Sequence, residues 1–261
     1  MKYFSKTWTY LLSAKAVVLY SACSSFKNKL CFAEWNSNWD GRNHLRGFTG
    51  ANNYFLIRHG QYHTKKNPKQ LSDLGIEQAV EVGKYLNIFL TRNSELRLTS
   101  VISSNVHRAI QTSQFAFKQF QGHLDDLDGV LVDEYKIQAY NGLNECSPYI
   151  TADLVKNVAK LDKDKEKLVM SRRLLDNAAS QIFKRPDHHE ERLTLVFAHA
   201  NVNRYLLLHL LQLPCAAWNN FEHFHCGITW IRVDKDGYVT CKCFSDAGHF
   251  EKRLKTQTNV C

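Results

Sequence analysis

From Tyr54 onward, short apolar runs alternate with stretches of helical period. Tyr54-Phe55-Leu56-Ile57 is a continuous apolar run that ends in Arg58 and His59 and turns at Gly60, as a strand buried on both faces does. Ser72 stands in an N-cap position ahead of a predicted helix with Ile76, Ala79, Val80, Gly83 and Leu86 on one face. A second strand, Leu98 to Ile102, leads into Ser103-Ser104-Asn105-Val106-His107-Arg108 and a helix through Ala109, Thr112 and Ala116. A third, Leu193 to Ala198, is followed at once by His199-Ala200-Asn201 and a leucine-rich helix. The run Gly227 to Phe244 closes the chain as a hairpin around Asp234-Lys235-Asp236-Gly237. This alternation predicts an α/β fold, a mostly parallel sheet flanked by helices.

Ahead of that core the pattern changes. Trp8 to Cys23 is mostly apolar, with Lys2 and Lys6 before it, Lys27 and Lys29 after it, and no acidic residue. Residues 1–31 therefore read as a membrane-anchor-like helix with a mitochondrial address, although Lys15 in its middle is costly to insert. Residues 32–52 are polar and aperiodic and read as a linker. Trp35 and Trp39 within it need somewhere to bury their rings, on their own domain or on a partner subunit. Residues 53–261 form the remaining domain.

The formal charge of +9 suggests nucleic acid at first. Lys2, Lys6, Lys15, Lys27 and Lys29 account for five of those charges, leaving +9 − 5 = +4 for the rest. No basic stripe with interleaved aromatics follows, so nucleic-acid binding is rejected. The eight cysteines contain no C-x-x-C pair and read as free thiols. His223, His225 and Cys226 invite a zinc reading, but no second ligand pair stands at a suitable spacing. No metal or cofactor is expected. His188-His189 reads as an exposed loop beside Pro186.

Arg58 with His59, Arg108, and His199 all follow carboxyl ends of predicted strands, where open α/β sheets carry their chemistry. Each alone has a structural explanation: a satisfied strand-end histidine, a helix-surface cation, a helix-start residue. Together they would concentrate guanidinium donors and imidazoles around a tetrahedral dianion. The acid such a site needs has three candidates, Asp133, Glu134 and Glu145.

These stretches resemble the histidine phosphatase (phosphoglycerate mutase-like) superfamily, in the family's order, over roughly Asn53 to His249. They are Arg58-His59-Gly60, Leu71 to Ala79, Ser103-Ser104 with Arg108 to Thr112, and Phe197-Ala198-His199-Ala200. The chain lacks the His-Asp and Arg-His-Gly-x-Arg of the acid-phosphatase branch. It is more similar to the mitochondrial protein serine/threonine phosphatases, through Arg58 to His63, His199 to Tyr205, Gly227-Ile228-Thr229 and the short apolar leader. The resemblance implies that His59 is the nucleophile, that Glu145 is the acid and base, and that Arg58, Arg108 and protonated His199 bind phosphate. It also implies a phosphorylated protein substrate, such as a kinase, a single-pass anchor in the mitochondrial outer membrane, and homo-oligomers through Trp35 and Trp39. Two departures stand out: Asn36 replaces an aspartate of the assembly motif, and Cys146 replaces a glycine beside Glu145. A small-molecule phosphatase or mutase, and a phosphoprotein-binding scaffold, are the competing readings.

Overall fold

The computed structural model describes residues 35–120, 137–148 and 158–258. The chain divides into two units, Met1–Asn36 and Ser37–Cys261, and every element below belongs to the second. The expected anchor, Asp133 and Glu134 lie outside the described residues. Among those described, no helix is long and apolar enough to cross a membrane.

Six strands form one sheet in the order β3-β2-β4-β1-β5-β6. They are β1 (Ala51–Arg58), β2 (Leu96–Ser104), β3 (Gln138–Tyr140), β4 (Glu191–Ala198), β5 (Ile228–Val233) and β6 (Val239–Asp246). β1 pairs in parallel with β4, β4 with β2, and β2 with β3, whereas β5 runs antiparallel to β1 and β6 antiparallel to β5. The sheet is thus mixed, its parallel part extended by the hairpin around Gly237, whose φ is 84°. The helices are α1 (Asp73–Arg92), α2 (His107–Phe117), α3 (Val158–Ile182) and α4 (Ala200–Leu210).

Strand alternation explains how both faces are filled. Phe55 and Ile57 of β1, with Leu195 and Phe197 of β4, meet Ala79, Val82 and Leu86 of α1. Tyr54 and Leu56, with Val196 and Ala198, meet Leu175 and Ala178 of α3 and Leu206 of α4. Each core leucine or phenylalanine buried this way contributes about 1.5–3 kcal/mol. Ser72 caps α1 as expected, its hydroxyl accepting from the Gly75 amide at 3.1 Å. The buried face of α1 is Gly75, Gln78, Ala79, Val82, Gly83, Leu86 and Leu90; Ile76 and Val80 lie at its edge.

One expectation changes. His188 is buried, not exposed, with Nε2 2.8 Å from Asn52 Oδ1; His189 is the exposed one. Of the two places open to its ring, Trp39 meets its own domain: it donates its indole N–H to the Gly237 carbonyl at 2.7 Å, and Asp40 faces Arg185 at 3.4 Å.

Candidate active site

The parallel pairing of β1, β2 and β4 brings their carboxyl ends side by side. Arg58 closes β1 and His59 follows it, its amide donating to the Ala198 carbonyl of β4 at 3.0 Å. Gly60 then lies against the start of α1, where a Cβ would sit 2.5 Å from the Gly75 carbonyl oxygen. Only glycine permits so close an approach. Arg108 lies in the first turn of α2 and His199 directly precedes α4. Glu145 comes from the loop after β3 and its short helical turn, Asn141–Leu143.

Four of these side chains are nearly inaccessible: Arg58, His59, Arg108 and His199 are exposed by 7, 2, 6 and 0%. Glu145 keeps about a third of its exposure, at 33%. The His59 and His199 rings have centroids 5.1 Å apart. One terminal nitrogen of Arg108 lies 3.1 Å from His199 Nδ1 and 3.4 Å from the Glu145 carboxylate. Arg58 donates to the carbonyls of His223 and Gln257, the latter at 3.1 Å. The Nε groups of Arg58 and Arg108 have no hydrogen-bond partner among the described residues. Guanidinium donors therefore remain for an anion. The five residues singled out in the sequence meet in one pocket.

Hydrogen bonds fix which ring nitrogens are free. His59 Nδ1 lies 2.8 Å from the Gly60 carbonyl, an acceptor only, so Nδ1 carries the proton and Nε2 keeps its lone pair. For His199 the assignment is reversed. Arg108 can only donate, so Nδ1 accepts, and Nε2–H points at the Ser104 hydroxyl, 2.9 Å away.

Burial holds both rings well below the usual imidazole value of 6.5. His199, Arg58 and Arg108 add to the effect at His59, and Arg108 and Arg58 at His199. Both rings are thereby biased towards the neutral imidazole. Burial raises the Glu145 carboxyl above its usual 4.5, against the opposing pull of Arg108 and Arg58. Burial also lowers Arg58, to about 10, which leaves it charged at neutral pH. A neutral imidazole, a carboxyl biased towards its acid form and two guanidiniums form a set able to support phosphoryl transfer.

Several supporting residues had no role assigned from the sequence, some of them inside the stretches that carry the resemblance. Thr112 accepts from the Gly60 amide at 3.0 Å and donates to the Arg108 carbonyl at 2.7 Å, so it ties the two junctions together. Asn144 accepts from Ser104 Oγ at 2.9 Å and from the Asn105 amide at 3.0 Å, docking the Glu145 loop on β2. The Tyr62 ring lies 4.6 Å from the Arg108 guanidinium carbon and 5.2 Å from the His59 ring. His223, considered above for zinc, is framework: Asn203 Nδ2 lies 3.3 Å from its Nε2, while its Nδ1 lies 3.1 Å from the Phe224 carbonyl. A ligand atom from each of His59, Glu145 and His199 lies within 4.8 Å of the other two, the one grouping among the described residues with the spacing to hold a cation.

Comparison with known proteins agrees with this geometry. The serine/threonine-protein phosphatase Pgam5, mitochondrial, of Caenorhabditis briggsae is 28% identical over 249 residues, 86% of this chain and 81% of that protein. The Caenorhabditis elegans protein of the same name is 28% identical over 240 residues, 83% of this chain and 78% of that one. Among solved structures, Bacillus stearothermophilus YhfR superposes with a TM-score of 0.54 at 20% identity, covering 77% of this chain and 100% of that one. A Plasmodium falciparum phosphoglycerate mutase gives 0.50 at 24%, covering 75% and 91%. Both structures share the α/β fold described above. The family model for the histidine phosphatase superfamily, branch 1, matches residues 54–246. That span contains all five pocket residues, and the chain belongs to the histidine phosphatase superfamily.

Proposed function

We propose that this protein is a protein serine/threonine phosphatase that works through a phosphohistidine on His59. The observation that carries the chemistry is the neutral, buried His59, with Nε2 free, among Arg58, Arg108, His199 and Glu145. The relatives named Pgam5 supply the choice of a protein substrate and of mitochondria as the location.

In the first step His59 Nε2 attacks phosphorus, and an N–P bond forms as the bond to the serine or threonine oxygen breaks. That oxygen leaves with the proton of the Glu145 carboxyl. The imidazolium so formed keeps its Nδ1–H on the Gly60 carbonyl. Arg58 and Arg108 neutralise the phosphoryl oxygens, and the dianion opposes the burial and the two guanidiniums that keep His199 neutral, so its Nδ1 takes up a proton from water. In the second step the Glu145 carboxylate removes a proton from water, which attacks phosphorus; the N–P bond breaks and inorganic phosphate leaves. General acid–base help of this kind contributes about 10²–10⁴-fold.

We place the protein at a mitochondrial membrane through residues 1–31, and we propose homo-oligomers through Trp35 and Trp39. The test of function compares phosphoserine and phosphothreonine peptides with 3-phosphoglycerate, in chelator. Turnover of the peptides at a much higher kcat/KM supports the reading. Preferential turnover of phosphoglycerate would replace it with a small-molecule phosphatase or mutase.

A further inference from the structure

The segment between the nucleophile and α1 leaves the pocket and returns to it. Tyr62 and Leu71 form an antiparallel bridge, and the His63 amide donates to the Gln70 carbonyl at 3.0 Å. The excursion between them, residues 64–69, is therefore closed at its neck. That neck is anchored on the catalytic framework. The Leu71 amide donates to Gln111 of α2 at 2.9 Å, and the Ser72 amide to the Gln61 carbonyl at 2.9 Å. Tyr62 carries the connection into the pocket through its contacts with Arg108 and His59.

The charge of this loop is one-sided. Lys65, Lys66 and Lys69 are all exposed, and none takes part in an ion pair among the described residues. The nearest acidic residue in sequence is Asp73, already inside α1; no carboxylate lies from Arg58 to Ser72. Lys69 Nζ lies 5.9 Å from the centroid of the same Tyr62 ring that contacts Arg108. Positive charge therefore extends from Arg108 of the pocket, over the Tyr62 ring, to Lys69, and Lys65 and Lys66 stand exposed in the same loop. Exposed charges within about 10 Å of a binding site act on what approaches it.

We propose that the Lys65–Lys69 loop is a substrate-selecting rim that favours phosphorylated segments with acidic residues next to the phosphoserine or phosphothreonine. The inference rests on the reading of the pocket as a protein phosphatase, and it adds the class of sequence preferred. Continuity with the phosphate site through Tyr62 favours a peptide over an anionic membrane surface as the occupant. Three exposed pairs of ordinary strength amount to about tenfold in affinity.

The test uses the full chain and fluorescein-labelled phosphoserine peptides matched in length, with acidic or neutral flanks. Binding is read by anisotropy to the His59→Ala protein, and turnover with the His59-containing protein, where p-nitrophenyl phosphate is the flank-free control. The acidic peptide should bind about tenfold tighter and show a correspondingly lower KM at equal kcat. Replacing Lys65, Lys66 and Lys69 together by alanine should bring the ratio to near one, with p-nitrophenyl phosphate turnover unchanged. Glutamates at the three positions should reverse it. Equal affinity for both peptides, or a ratio that survives the alanine variant, overturns the proposal. A variant that keeps the peptide ratio but no longer sediments with phosphatidylserine-containing vesicles also overturns it and assigns the loop to a membrane. Peptide selection without peptide turnover leaves the rim standing and removes the protein phosphatase reading.

Discussion

The hydroxyl of Ser104 lies 2.9 Å from Nε2 of His199. That hydroxyl gives its own proton to Asn144 Oδ1 at 2.9 Å, so its lone pair faces the imidazole and fixes the His199 proton on Nε2. Nδ1 is thereby left to the pocket. Ser104→Ala strands a buried N–H, a penalty of about 1–3 kcal/mol, and frees the ring to change tautomer. The expected result is about a tenfold fall in kcat/KM for a phosphoserine peptide. A structural role alone would lower the thermal midpoint without moving the kinetics of the folded protein.

The Tyr62 ring packs against the Arg108 guanidinium. Its ring face lies 4.6 Å from the guanidinium carbon, an arrangement worth about 0.5–2 kcal/mol. Tyr62→Phe keeps the ring and should retain most activity, whereas Tyr62→Leu should raise KM several-fold. Steady-state kinetics on the three proteins decides. Equal loss in both variants would give the hydroxyl, not the ring, the leading role.

The pH profile follows from opposite shifts in the two proton-carrying groups. With the His59 pKa well below 6.5, its Nε2 lone pair persists into the acidic range, so the acidic limb of kcat/KM belongs below pH 6.5. The Glu145 carboxyl is raised above 4.5 and acts protonated in the first step, so its loss of the proton produces the alkaline limb. Glu145→Gln should lower kcat by about 10²–10⁴-fold and flatten that limb. A profile for Glu145→Gln that keeps the wild-type alkaline limb assigns the acid elsewhere.

Stability should fall on acidification for a related reason. Burial lowers His59, His199 and His223 in the fold, His223 to about 3, while the unfolded chain titrates near 6.5. Below 6.5 the unfolded state binds protons that the native state does not. The stabilisation is complete above that pH and is lost progressively towards pH 3. Thermal midpoints at pH 7.5, 6 and 5 should decline in that order; a constant midpoint would mean that these rings are protonated in the fold without cost.

How much of this was legible in the sequence depends on the residue. Arg58, His59, Arg108 and His199 could be read because each stands where a buried apolar strand ends, and parallel strands align those ends. Glu145 could not be read that way: β3 is three residues long, too short for a periodic signal, and only the family resemblance singled the residue out. The resemblance marked Ser104 but not its role, because its partner Asn144 lies 40 positions away in the sequence. The charge-rich α3 lacks a clean apolar stripe in its sequence, and no periodicity announced it.

The segment around Trp39 depends on a buried ion pair. The side chains of Asp40 and Arg185 are 2% and 1% exposed at 3.4 Å, and Asp40 also accepts from the Arg185 amide at 2.9 Å. Removing one partner of such a pair costs about 3–5 kcal/mol. Asp40→Ala should therefore lower the denaturation midpoint strongly, and chemical denaturation measures it. If the proposed assembly uses Trp39, light scattering of Trp39→Ala should show a smaller species than wild type.

Rapid-quench trapping of the phosphoenzyme with a radiolabelled phosphoserine peptide decides whether His59 is the nucleophile. An acid-labile, alkali-stable label should map to His59, form within the first turnover and disappear in His59→Ala. Label on another side chain, or full turnover by His59→Ala, would contradict that role.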